Sequence, residues 1–249
     1  MGITRAGMTI GAAILMNAVL VSAQTFAVAS IRPSAGQVQF EHDGKTEITP
    51  GTMTMRDVTL GTCIKFAYGV QDSQVLGPEW LQSEHFDILA KADSPVAEDQ
   101  LKLMMQALLA DRFKLSFHRQ SKELSAYAMT VAKGGAKLKE STPETKPFRE
   151  NSAVGTIAKA MTMKEWADFI SGPLQTPVVD MTGLKGRYDF SLDFTAYLPG
   201  GEKVMNVAFD NANGIMIAAM QGELGLKLES GKETVEVLVI DHVEKPSAN

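Results

Sequence analysis

Residues 58–68 read Val58-Thr59-Leu60-Gly61-Thr62-Cys63-Ile64-Lys65-Phe66-Ala67-Tyr68, and residues 161–171 read Met161-Thr162-Met163-Lys164-Glu165-Trp166-Ala167-Asp168-Phe169-Ile170-Ser171. Each stretch opens on a threonine hydroxyl able to accept from a first-turn amide and continues with apolar residues at helical spacing. In the second, Glu165 can reach back to the Thr162 amide and complete a capping box; Thr59 holds the same place without the acid. The two stretches lie about 103 residues apart, and the spacing recurs. Val75-Leu76 corresponds to Val178-Val179, Phe86-Asp87-Ile88 to Tyr188-Asp189-Phe190 one residue short, and Lys122-Glu123 to Lys232-Glu233 at about 110. Order and spacing held over four elements are the signature of an internal repeat. They predict an α+β protein made of two tandem copies of a β-α-β-β-α-β-β unit, with small, mostly antiparallel sheets packed by short helices.

Within each copy the local signals agree. Short helices are expected over 60–68 and 163–171, stopped by Gly69 and by Gly172-Pro173. A short β segment follows, then a turn at Gly77-Pro78 or at 183–186, then strands over 86–92 and 188–194, where Phe86, Ile88 and Ala90 share one face. Leu101, Met104, Met105, Leu108 and Leu109 recur at helical spacing. Phe113, Leu115 and Phe117 then alternate with polar residues, and Tyr127, Met129 and Val131 make a return strand, which predicts a hairpin. In the second copy the helix is 215–224 and the hairpin strands are 226–229 and 235–243, turned by Ser230-Gly231-Lys232. A strand over 25–31 precedes the first copy. The expected domains are a first repeat, 24–133, a polar Gly/Pro-containing linker, 134–157, and a second repeat, 158–249. A second irregular stretch, 196–213, interrupts the second copy.

The first residues read as a leader rather than as fold. Arg5 precedes an uncharged apolar run over 6–21, and Val21-Ser22-Ala23 supplies the small-residue exit of a secretory signal, so cleavage is expected after Ala23. The run is shorter than the roughly 20 residues that cross a bilayer, an uncleaved anchor being the alternative. A periplasmic or secreted protein with no stable membrane span after cleavage is the expectation. The formal net charge is −5, and a mildly acidic chain without a basic cluster argues against nucleic acid as a partner. The single cysteine, Cys63, sits among apolar helical residues and reads as core.

No catalytic or cofactor motif stands out. The sequence contains no G-x-S-x-G elbow, S-x-x-K helix, H-E-x-x-H pair, phosphate loop or dinucleotide fingerprint. The four histidines, His42, His85, His118 and His242, are scattered, and of the fourteen methionines Met104-Met105 and Met161/Met163 fall on helices at core spacing. No cofactor and no metal site is called for. A glycosidase-like carboxylate pair stays open as a minor alternative.

Several runs resemble a large family of uncharacterised secreted proteins of soil-associated, acidobacterial-type bacteria, known only as a domain of unknown function. They include Phe26-Ala27-Val28-Ala29-Ser30-Ile31-Arg32-Pro33, Gly77-Pro78-Glu79-Trp80-Leu81, Leu108-Leu109-Ala110-Asp111-Arg112-Phe113, Pro177-Val178-Val179-Asp180-Met181-Thr182-Gly183-Leu184, Gly186-Arg187-Tyr188-Asp189-Phe190 and Val237-Leu238-Val239-Ile240-Asp241-His242-Val243. The resemblance implies export and no established activity. A similar domain in some relatives accompanies a membrane metallopeptidase of the antibiotic-sensor type, which implies an extracytoplasmic sensing or binding role. The stretch before Leu224 departs from the family pattern.

The candidate ligand or partner site gathers Tyr68, Trp80, Asp180, Arg187 and Asp189, with Arg187 and Asp189 expected to pair across a strand face. Two like units would form a groove at their junction. The function expected first is an exported, non-catalytic binding or protein-interaction module of the bacterial envelope. Its partner would be an envelope protein, a peptide or a glycan. The alternative is an envelope hydrolase with an Asp/Glu-based site.

Overall fold

A computed structural model describes residues 25–34, 44–152, 154–198 and 209–246, with backbone alone at 209–211. The expected leader and residues 199–208 of the irregular stretch 196–213 lie outside these residues. The architecture is α+β, with short helices on several small, largely antiparallel sheets.

The first half runs β1 (Val28–Pro33), β2 (Lys45–Thr49), β3 (Thr52–Thr59), α1 (Leu60–Tyr68), β4 (Val75–Leu76), β5 (His85–Lys91), α2 (Glu98–Arg112) and β6 (Ser116–Val131). The second runs β7 (Lys139–Glu140), β8 (Phe148–Ser152), β9 (Gly155–Met161), α3 (Met163–Leu174), β10 (Val178–Asp180), β11 (Tyr188–Asp193), α4 (Phe209–Ala219) and β12 (Leu226–His242). A π-helical turn, Met220–Leu224, carries α4 on to Gly225. One sheet has the order β1-β5-β3-β2 and another β7-β11-β9-β8, so strands in the same place along each half take the same place in its sheet. The third sheet, β10-β6-β12-β4, is built from both halves.

The helix starts follow their local chemistry. The Thr59 hydroxyl accepts from the Thr62 amide at 3.2 Å, and Gly69 ends α1 in the left-handed region. The Thr162 hydroxyl accepts from the Glu165 amide at 3.1 Å while a Glu165 carboxylate oxygen accepts from the Thr162 amide at 2.8 Å, completing the capping box. α3 continues past Gly172 and through Pro173 to Leu174, ending on Gln175 with φ 48°. Pro173 has no N–H to donate to the Phe169 carbonyl, so the last turn of α3 goes without that one bond.

The expected hairpins are replaced by one long ribbon. β6 and β12 are each continuous, and they pair with each other antiparallel from Leu226 opposite Val131 to His242 opposite Ser116. Neither strand contains a residue of positive φ, so neither makes the two-residue turn that a tight hairpin needs. Ser230-Gly231-Lys232 runs straight, opposite Tyr127-Ala126-Ser125. Each half also lends its short strand to the other: β4 lies parallel to β12 at Leu238, and β10 parallel to β6 at Tyr127.

The stretch 134–157 is likewise no free tether, because it carries β7, β8 and the start of β9. Its strands were hidden because β8 is exposed along its whole length and shows no apolar alternation. β2, exposed in the same way, escaped notice for the same reason.

Two main cores result, one per half, each completed by the other's ribbon strand. Leu238 of β12 is buried among Ile31, Leu60, Ile64 and Phe113 of the first core, and Met129 of β6 sits in the second with Trp166, Ile170 and Phe190. Cys63 is fully buried with its Sγ 3.9 Å from the Met55 sulfur. Leu238→Ala should cost about 2–5 kcal/mol, the usual penalty for emptying a leucine-sized core site. It should lower the midpoints reported by Trp80 in the first core and Trp166 in the second together; separate transitions for the two reporters would contradict the shared ribbon.

Candidate functional site: a groove between the two halves

The five residues singled out by sequence do not converge. Tyr68 packs edge-on against Phe117 with ring centroids 4.9 Å apart, and burial raises its phenol pKa, with Arg119 opposing. Trp80 lies in a 3-10 turn over the edge of the first core, with the Lys245 ammonium 5.9 Å from its ring centroid. Asp180 is at the other end of the ribbon, opposite Met129, and from Phe117 to Met129 the strand extends roughly 40 Å. Its Oδ1 accepts from the Thr182 amide at 3.0 Å and from the Thr182 hydroxyl at 2.7 Å, an Asp-initiated turn that brings in Gly183 at φ 71°.

Arg187 and Asp189 do not pair with each other; both grip Ala160. Asp189 Oδ1 accepts from the Ala160 amide at 2.9 Å and from the Ser141 hydroxyl at 2.5 Å, while Arg187 donates to the Ala160 carbonyl at 2.5 Å. Ala160 stands at φ 47°, an uncommon conformation for alanine, where the β9–β11 register slips. The first half repeats the device. Asp87 Oδ1 accepts from the Asp57 amide at 2.9 Å, His85 Nδ1 lies 2.8 Å from the Asp57 carbonyl, and Asp57 has φ 54°. The aspartates of the two Phe/Tyr-Asp motifs thus hold a bulge open in each half.

In the second half the bulge leads straight to a cleft. Arg187 continues from Ala160 to Glu165, at 3.2 Å, tying the clamp to the cap of α3. Burial alone would raise the Glu165 pKa, but the Thr162 amide and hydroxyl and the Arg187 guanidinium outweigh it and hold the carboxyl low. Ala160, Met161 and Glu165 line a cleft of about 950 Å³ between the halves.

Two helices form the matching walls of this cleft. α1 and the residues just past its end contribute Lys65, Phe66, Gly69 and Val70; α3 contributes Asp168, Phe169, Gly172 and Pro173, the residues about 103 positions later. Each phenylalanine has a cation beside it. The Arg149 guanidinium of β8 sits 3.9 Å from the Phe169 centroid, and the Lys102 ammonium of α2 lies 5.8 Å from that of Phe66. Charge is reversed at one matched pair: Lys65 meets Asp72 at 2.9 Å, whereas Asp168 meets Lys164 at 2.7 Å. The groove is closed at its sides by the start of α2 and by β8 and β9. Sequence reading missed Phe66 and Phe169 because at helical spacing a phenylalanine reads as core; their recurrence at the repeat offset was the available signal.

Other titratable groups make local pairs, such as His118 with Asp241 at 2.7 Å and His242 with Glu244 at 2.9 Å. Among the described residues no three His, Cys, Asp or Glu side chains converge as a metal site would require, and no helix is long and apolar enough to cross a membrane.

Fold and cleft together define an α+β protein of two like-ordered halves that share a ribbon and enclose a groove. Residues 61–243 match the family described as Protein of unknown function (DUF3738), and the chain belongs to that family. The match begins inside α1 and ends just past β12, so it takes in both groove helices and the whole ribbon. No curated protein and no solved structure matches the chain.

The clamp has a pH signature. The Ser141 hydroxyl and the Ala160 amide hold the Asp189 carboxyl below the usual aspartate pKa. A pKa lower in the folded than in the unfolded chain adds stability that is complete above the unfolded value, near 3.9, and is lost as pH falls through the folded value. The urea midpoint of Asp189→Asn should therefore fall less than that of the native protein between about pH 5 and pH 3. Parallel curves would show that Asp189 is not a clamp.

Proposed function

We propose that this protein is an exported, non-catalytic binding module of the bacterial cell envelope, descended from the duplication of a single α+β unit, and that the groove between its halves holds the partner. The observation that carries this reading is the groove itself, whose two walls present matched faces of α1 and α3 with an aromatic ring and a cation on each side. Duplication of a unit with one half-site supplies such a cleft without further invention, since the shared ribbon brings the two half-sites face to face. Support for duplication comes from the same strand order in the outer sheets and from the bulge clamps at Asp57 and Ala160. The leader-like residues 1–23 support export, and the family pattern is in keeping with an extracytoplasmic role.

The hydrolase alternative gains no support in the groove. An acid catalyst needs a carboxyl held protonated near neutrality, whereas Glu165 is pushed the other way by its cap and by Arg187. The neighbouring carboxylates carry cations of their own: Lys102 on Glu98 and Lys164 on Asp168.

Gly172 offers a direct test, because it lines the groove and a Cβ added there meets no atom within 4 Å beyond its own helix backbone. Gly172→Trp should keep the native circular dichroism spectrum and thermal midpoint while losing the partner that immobilised native protein retains from envelope extract. Trp80→Ala with Asp180→Ala, both remote from the groove, should retain it. Identical capture by native protein and by Gly172→Trp would contradict a binding role for the groove.

A further inference from the structure

Resting on the groove-binding reading above, we infer that the occupant is an extended acidic segment of a partner protein, which adds as a strand to the free edge of β8 and sets a carboxylate on Arg149. Among the described residues β8 is the outermost strand of its sheet, hydrogen-bonded only to β9, and every residue from Phe148 to Ser152 is exposed. Such an edge offers amide and carbonyl groups at the repeat of an extended peptide, and strand addition to it draws affinity from main-chain hydrogen bonds. β8 also lines the groove, through Phe148, Arg149 and Asn151, so a strand added to it would run beside that wall.

The charges of the groove indicate the sign of the ligand. Each of its carboxylates has a cation within ion-pair distance, with Glu98 and Asp99 sharing Lys102, Glu165 on Arg187, and Asp168 on Lys164. Arg149 and Lys159 have no carboxylate within ion-pair distance among the described residues. The surplus positive charge therefore lies on the β8–β9 wall. Stacking on Phe169 at 3.9 Å restrains the Arg149 guanidinium and leaves the N–H donors in its plane pointing outward, the arrangement that takes a carboxylate bidentately. Phe148, 47% exposed on the same strand, offers an apolar contact for a neighbouring side chain of the ligand. An acidic glycan suits the site less well, because Arg149 already covers the Phe169 ring on which a sugar would stack and the Lys102 ammonium lies over that of Phe66.

Fluorescence anisotropy with a labelled hexapeptide of alternating Val and Glu, titrated with the purified protein, tests this. Binding should weaken at least about tenfold in the Arg149→Ala, Lys159→Ala double variant and fall as salt is raised. It should be lost when alternate peptide amides are N-methylated and be absent when Lys replaces Glu in the peptide. An oligogalacturonate of similar charge should not compete. Failure of the acidic peptide to bind, equal binding by its N-methylated form, undiminished binding by the double variant, or binding of the oligogalacturonate instead would each overturn the inference. Gly172→Trp separates the two levels. If it abolishes capture of an envelope partner while the double variant does not, the groove remains the site and the acidic strand is wrong. If it leaves peptide binding intact, the groove reading itself fails.

Discussion

The antiparallel pairing of β6 with β12 is the constraint on which the rest of this structure depends. Each is the last strand of its half, and each spends its hydrogen bonds on the other half rather than on a partner of its own. Because β4 and β10 then dock on the opposite half's ribbon strand, the helices that precede them, α1 and α3, are drawn to the junction. The groove follows from that placement. Had each ribbon strand folded back on itself, α1 and α3 would belong to separate bodies and nothing would oblige their faces to meet.

The bulge clamps show how a strained backbone is used in this scheme. A non-glycine residue in the left-handed region costs energy and persists only when its surroundings fix it. Here a carboxylate takes the amide and a basic side chain takes the carbonyl of that residue: Asp87 with His85 in the first half, Asp189 with Arg187 in the second. The bulge redirects the end of β3 or β9 into the capping threonine of the next helix. Of the residues that looked like a ligand site in the sequence, Asp189 and Arg187 are thus supports of the bulge, and Arg187, reaching Glu165, connects it to the groove wall.

The local parts of this fold were legible because their causes are local. Thr59 and Thr162 declare helix starts through their own hydroxyls, α1 spans the expected residues 60–68, and the alternation of Phe86, Ile88 and Ala90 marks a strand with one buried face. Partner choice was not legible. The alternation in Phe117 and Tyr127 is the same whether a strand turns back on itself or pairs with another far along the chain, and Ser230-Gly231-Lys232, turn-like in composition, runs straight in the ribbon. Edge strands such as β8 bury nothing and leave no apolar period to read. The groove depended on both unseen features, so its residues were dispersed among apparent core positions, while the conspicuous Trp80 and Tyr68 served the first core.

Cross-strand disulfide trapping measures the ribbon most directly. Ser125 and Lys232 stand opposite each other, with Lys232 Nζ 3.2 Å from the Ser125 hydroxyl, and facing residues of an antiparallel pair lie within disulfide reach. In a Cys63→Ala background, Ser125→Cys with Lys232→Cys should form an intramolecular disulfide quantitatively under mild oxidation, without loss of native spectra. Ser116→Cys with Thr130→Cys, both within β6 and roughly 45 Å apart when that strand is straight, should form none. The reverse outcome, a bond within β6 and none between the halves, would mean that each half closes its own hairpin and would contradict the shared ribbon.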